Sequence, residues 1–246
     1  MEEEQLWSAQ DLSKGEIEIS GRLVDASNAT LFGEIRLLAQ QSDDEFSTRT
    51  AAIVYKPIAG ERPLWDFPDG NLASREVASY LLSEFADFKL VPTTVFRDGP
   101  FGPGAVQQWI EVDETRDLLS IARSQDPKIR KMALFDALVN NTDRKFGHIL
   151  VDHFSNIYGC DHGVTFHSEP KLRTVIWQFA GMEFSNLEIV TLQRIISLGT
   201  ELAAVLELYL TARELDSFFA RTNMLLEAGH FPYPSEDWPP VPWPPV

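Results

Sequence analysis

Two periodicities divide the chain. Apolar residues first recur in short alternating or continuous runs: Ile17 and Ile19, Leu23, then 31–38, 51–55, 91–97 and 104–111. Runs of this length, bounded by Gly, Pro and Asp, predict strands of a small antiparallel sheet. One helical stripe interrupts them, with Val77, Tyr80, Leu81 and Phe85 on one face and Ser74 as its cap. After Glu111 the pattern turns helical. Asp126 and Pro127 open the clearest helix, whose apolar positions Ile129, Met132, Ala133, Phe135, Leu138 and Val139 form a face wide enough to require burial. Further helices are predicted at 186–198, 200–210 and 211–228, the last opened by a Thr211/Glu214 capping box and stopped by Gly229.

The pattern predicts an α+β chain: a sheet-bearing lobe over 15–111 and a mainly helical lobe over 112–230. Residues 1–14, polar and acidic, are expected to fray. The Pro- and Trp-rich end, 231–246, is expected to be extended and packed back on the body, recognition by a Pro-binding partner being the lesser alternative. A Pro/Gly-punctuated aromatic loop at 58–70 reads equally as a lid or as packed decoration.

Composition narrows the function classes. The chain has 246 residues, 44% of them hydrophobic, enough to bury a sizeable core. No apolar run approaches the roughly 18 residues that span a bilayer, and the acidic start is unlike a signal peptide. A cytoplasmic protein is expected, and the single cysteine, Cys160, forbids an internal disulfide. With 37 acidic and 21 basic residues the net charge is −16. Such a surface repels nucleic acid and anionic headgroups, so neither nucleic-acid binding nor stable membrane association is expected.

The chemistry concentrates in one stretch. Asp143 and Arg144 follow the 127–139 helix, His148 leads into Ile149-Leu150, and Asp161-His162-Gly163 closes the next short apolar run. Two loop aspartates separated by a hairpin are what phosphoryl transfer needs, one to orient the nucleophile and one to hold a metal on the phosphates. Each Asp alone is equally a turn residue. The stretch resembles the catalytic loop and metal-binding loop of the lipid-kinase-like branch of the kinase superfamily, which includes phosphatidylinositol 3- and 4-kinases and HipA-like kinases. With Tyr55-Lys56-Pro57 and the 171–177 segment, the chain is similar, over about 21–229, to actinobacterial proteins described as phosphatidylinositol 3-/4-kinase-like.

That resemblance implies a two-lobed protein-kinase-like fold binding ATP and Mg²⁺ between the lobes, and a hydroxyl of a protein or small molecule as acceptor, lipid being disfavoured by the charge. It implies Asp143 as the catalytic base, Arg144 paired with a carboxylate or a phosphate, and Asp161 as metal ligand. Lys56 and Glu76 become the ion pair that holds the phosphates, in place of an edge-strand lysine and a helix-dipole carboxylate. Ser27 and Asn28 fall in the phosphate-covering loop, and Gln108, Trp109 and Ile110 in the hinge facing adenine, with Trp109 read as core rather than as an adenine platform. His148 stands where most kinases of this branch have a metal-binding Asn. His148 is thus the second metal candidate beside Asp161, or it contacts a phosphate while metal binding rests mainly on Asp161, or the protein binds nucleotide and transfers little, which is a second reading, a non-catalytic nucleotide-binding pseudokinase. A third is a metal-dependent hydrolase, from His148, His153, His162 and His167 beside Asp152 and Asp161, although their spacing matches no common ligand pattern.

Overall fold

The computed structural model describes residues 6–23, 28–42 and 45–245. A first short helix, α1 (Ala9–Lys14), is capped by the Ser8 hydroxyl, which accepts from the Asp11 N–H. The sheet follows as β1 (Glu16–Arg22), β2 (Leu31–Ser42) and β3 (Glu45–Pro57), then β4 (Thr94–Gly99) and β5 (Gly102–Gln108). Its order is β1-β2-β3-β5-β4, antiparallel throughout, so β5 inserts between β3 and β4 with Lys56 opposite Ala105. The alternation of Ile35, Ile53, Tyr55, Val95 and Val106 buries one face. Trp7 and Leu12 cover that face from outside. Residues 7–14 are therefore docked and not frayed, because two large apolar side chains in a polar stretch suffice to anchor one helical turn.

Between β3 and β4 runs α2 (Leu72–Phe85). Its cap is Asn71, whose side chain accepts from Ser74 N–H; Ser74 itself is buried inside the helix. The Glu61 carboxylate accepts from the Leu72 and Ala73 N–H groups at 3.0 and 2.8 Å, which ties the 58–70 loop to the helix N-terminus as packed structure. Small residues Ala73, Ser74, Ala78 and Ser79 let α2 sit buried between the sheet and the helices.

The helical part comprises α3 (Leu118–Ala122), α4 (Pro127–Val139), α5 (Asn186–Ser197), α6 (Gly199–Leu206) and α7 (Ala212–Ala228). The main core gathers around α4, where Ile129, Met132, Phe135 and Leu138 are fully enclosed. After Asn140, which caps α4 at φ 49°, come the loop 141–148 and a two-stranded hairpin, β6 (Ile149–Val151) and β7 (Ile157–Gly159). The α7 capping box and its Gly229 C-cap at φ 72° form as the sequence predicts. The tail lies on the body: Phe146 N–H bonds the Pro245 carbonyl at 2.9 Å, and Thr174 N–H that of Pro240 at 2.9 Å. Among the described residues no single helix is long and apolar enough to cross a membrane; α5 and α6 pass together by composition but meet at 70°.

Candidate active site

The sheet and the β6–β7 hairpin enclose a cleft of about 290 Å³, walled by Thr30 and Val54, Trp109 and Ile110, and Leu150 and Cys160, with Lys56 and Asp161 at its inner end. Its lining is mostly apolar with one cation and one anion, and those two also line the smaller adjoining pocket beside Glu76.

Lys56 leaves β3 at the point where the strand meets α2. Its ammonium bonds Glu76 Oε1 and stands 2.9 Å from Asp161 Oδ1. Glu76, 2% exposed, uses its other oxygen to accept from the His162 N–H at 3.0 Å. Burial opposes the Lys56 charge, but Asp161 and Glu76 outweigh it and raise the lysine above its ordinary value. Burial lifts Glu76 despite the ammonium beside it. Asp161, with half of its side chain facing the cleft, is held well below the usual carboxylate range, chiefly by Lys56. One ammonium thus joins strand, helix and the loop of Asp161. Gly163 permits the approach, since a Cβ there would lie 3.1 Å from Leu72 Cβ. Asp161 itself is left-handed, φ 58°, a conformation Asp tolerates better than most residues and one common at functional sites.

Asp143 sits 3.2 Å from Lys145 Nζ, and its N–H bonds the Asn141 side chain. Burial pushes its carboxyl above the ordinary value, with Lys145 and His148 pulling the other way. A carboxylate made more basic is suited to receive a hydroxyl proton. His148 Nε2 lies 3.4 Å from Asp161 Oδ2. Burial keeps the His148 imidazole neutral by lowering its pKa.

Arg144 does not reach the cleft. It is fully buried against Asp136 of α4, 2.8 Å away, and donates to the carbonyls of His148 and Cys160 at 3.0 Å and to His162 Nε2 at 2.7 Å. Of the two partners open to it, the carboxylate is the one it has, so Arg144 positions the loops and touches no ligand. Gly159 makes room, because a Cβ there would meet the guanidinium at 3.1 Å. Asp136, which bonds both Arg144 and the Asn141 amide, is a residue of the site's framework that the sequence reading passes over. The signal was an acid on the apolar face of α4, in step with Met132 and Ala133, where a carboxylate needs a partner.

The remaining expected residues are placed unevenly. Ser27 lies outside the described residues. The Asn28 side chain accepts from the Arg62 N–H at 2.9 Å, so it holds the loop to the 58–62 turn. In the hinge, Gln108 N–H bonds Thr93 and Trp109 N–H bonds Ala52, which leaves the Ile110 N–H as the hinge donor without a partner among the described residues. Trp109 is half-buried, edge-on to Phe32 with centroids 5.1 Å apart, and lines the cleft instead of the core.

The histidines do not converge. His162 is fully buried on Arg144, His167 bonds the Asp66 carbonyl at 2.8 Å, and His153 is exposed beside Asp113. Among the described residues no group of three His, Cys, Asp or Glu is placed to hold a metal, which removes the basis for the hydrolase reading. The donors fit Mg²⁺ only as Mg²⁺ usually binds beside phosphates, through one carboxylate, here Asp161, and the ligand's own oxygens. His148, a nitrogen donor, suits that ion less well.

No family model matches the chain. Protein Rv2133c of Mycobacterium tuberculosis (strain ATCC 25618 / H37Rv) is 36% identical over 269 aligned positions, covering 95% of this chain and 93% of that protein. The chain belongs to the Rv2133c family. Its fold is kinase-like. The crystal structure of the Golgi casein kinase matches 89% of this chain and 72% of its own with a TM-score of 0.53 at 13% identity. Hydra Fam20 with sugar matches 89% and 86%, with a TM-score of 0.52 at 12% identity.

Proposed function

We propose that the protein is a phosphotransferase that passes the γ-phosphoryl group of ATP to a hydroxyl. The observation that carries this reading is the Lys56 ammonium between Glu76 and Asp161, at the charged end of an apolar cleft. Glu76 orients Lys56, whose permanent charge then meets the phosphates. The adenine edge pairs with the Ile110 N–H, between Val54 and Leu150. A divalent metal held by Asp161 supplies charge neutralisation on the phosphate oxygens. The acceptor oxygen forms its bond to the γ-phosphorus as the bond to the β–γ bridging oxygen breaks, ADP departs, and Asp143 takes the hydroxyl proton. The spacing from Asp143 to His148 and the Asp161-His162-Gly163 triplet favour the lipid-kinase and HipA-like branch, while the net charge of −16 favours a protein or small-molecule acceptor over lipid.

The test is ATP binding by calorimetry, with and without Mg²⁺. Wild type is expected to bind in a metal-dependent way, and Lys56→Ala and Asp161→Ala to lose that binding; Asp143→Ala is expected to bind but to turn over about 10²–10⁴-fold more slowly. Absence of ATP binding in the wild type would sink the reading. His148 beside Asp161 favours one alternative, a pseudokinase that binds nucleotide as a switch. ATP binding by the wild type with no transfer, under acceptor excess, would establish it.

A further inference from the structure

The strip beside the catalytic loop is built like a peptide-binding edge, and the chain's own end lies in it. Residues 173–175 run parallel to Arg144: Arg144 N–H bonds the Arg173 carbonyl and Val175 N–H the Arg144 carbonyl, both at 3.1 Å. On the outer side of this strip, donors face the tail. Thr174 N–H and Trp177 Nε1–H both bond the Pro240 carbonyl, at 2.9 and 2.8 Å. Arg173 Nε–H donates to the Pro239 carbonyl at 3.0 Å, and Phe146 N–H to that of Pro245. Lys171 lies under the Trp238 ring, 4.3 Å from its centroid.

Four features point beyond simple packing. Every one of these hydrogen bonds is made by a tail carbonyl, the group that any extended polypeptide presents and that proline retains. Phe146 belongs to the loop that carries Asp143, three residues before it in sequence, so the strip borders the loop of the proposed catalytic base. From Glu236 to the C-terminus the tail contains no Ser, Thr or Tyr, so its occupancy cannot be that of an acceptor. Trp243, at the distal end, is 86% exposed, and little of its surface holds the tail down.

We propose that this donor-lined strip is the acceptor groove of the site, that it takes an extended hydroxyl-bearing polypeptide by its main-chain carbonyls, and that the tail 238–245 fills it until such a segment displaces it. This deepens the phosphotransferase reading and rests on it: it names the acceptor class as polypeptide and the tail as an intramolecular competitor. A tethered segment acts at an effective concentration of about millimolar, so untethering it changes the competition strongly.

The experiment compares the full chain, a chain ended at Ser235, and full-length Trp177→Phe, which keeps an aromatic ring but loses the donor to Pro240. Two readouts are independent: capture of a fluorescent peptide with the sequence of 236–246, followed by anisotropy, and phosphate transfer from MgATP to a degenerate mixture of Ser-, Thr- and Tyr-containing peptides. The shortened chain is expected to capture the labelled peptide, to release it to the degenerate mixture, and to transfer at least about tenfold faster than the full chain, with the tail peptide restoring the slow rate. Trp177→Phe is expected to fall between them, and it decides the matter should the shortened chain fail to fold. Equal MgATP binding with unchanged or slower transfer in both variants overturns the groove and makes the tail a fixed part of the fold. Failure of a folded shortened chain to capture the labelled peptide overturns it whatever the nucleotide does. Absence of MgATP binding instead overturns the phosphotransferase reading, and leaves peptide capture to show whether the strip binds polypeptide at all.

Discussion

Asp136 and Arg144 are both fully enclosed, so neither charge has water to turn to if its partner is lost. Burial works against the guanidinium, and Asp136 more than compensates for it. Asp136→Asn keeps the volume and strands the cation, and is expected to lower the unfolding free energy by about 3–5 kcal/mol, read from urea denaturation. His162 gives a pH signature. Burial, together with the Arg144 charge, holds its pKa well below the ordinary 6.5, so the native imidazole stays neutral. The stabilising preference for the neutral form is complete above the unfolded-state pKa. As pH falls below about 6.5, the unfolded chain takes up a proton that the native one refuses, and stability declines by up to about 1.4 kcal/mol per pH unit. Denaturation curves between pH 7.5 and 5.5 should show that slope, and His162→Gln should flatten it. Lys56, Glu76 and Asp161 were legible because a lysine ending a strand, a helix acid and a loop Asp before Gly each stand at a recognisable place in the pattern. Asp136 was not, because a sequence shows which side chain is out of keeping with its face but not which loop returns to meet it.

At the scale of elements, helices carrying their own punctuation were read most closely: α4 with Asp126 and Pro127, and α7 with its capping box. Local chemistry sets those ends, so local sequence reveals them. Where a neighbour sets the end, it did not. Asn71 caps α2 in place of Ser74 because Glu61 and the 58–70 loop fix where the helix begins, a contact formed across intervening chain. The α1 helix was missed for a related reason. Six residues carry no periodicity, and its position is set by Leu12, fully buried among Ile35 and Val106, together with Trp7 just before it. Leu12→Ala should therefore cost about 2–5 kcal/mol of stability although it lies in the polar N-terminal stretch. A thermal melt that did not move would show that α1 contributes nothing to the sheet.

For the whole molecule, the division into sheet and helices follows from the change of period after Glu111, and the placement of the tail follows from contacts that the sequence does not encode locally. The net charge of −16 is a property of the entire surface. At physiological salt it should keep the protein off vesicles containing anionic lipid, and cosedimentation with such vesicles should recover it in the supernatant. Binding there would return lipid to the list of acceptors.

Because the single Arg144 guanidinium holds the carbonyls of both His148 and Cys160, the loop with Asp143 and the loop with Asp161 form one rigid piece. Opening and closing of the cleft then cannot come from one loop swinging past the other. If the proposed cleft opens, the motion that spares this buried guanidinium is a tilt of the sheet against the two loops together, which would part the contact between Lys56 and Asp161.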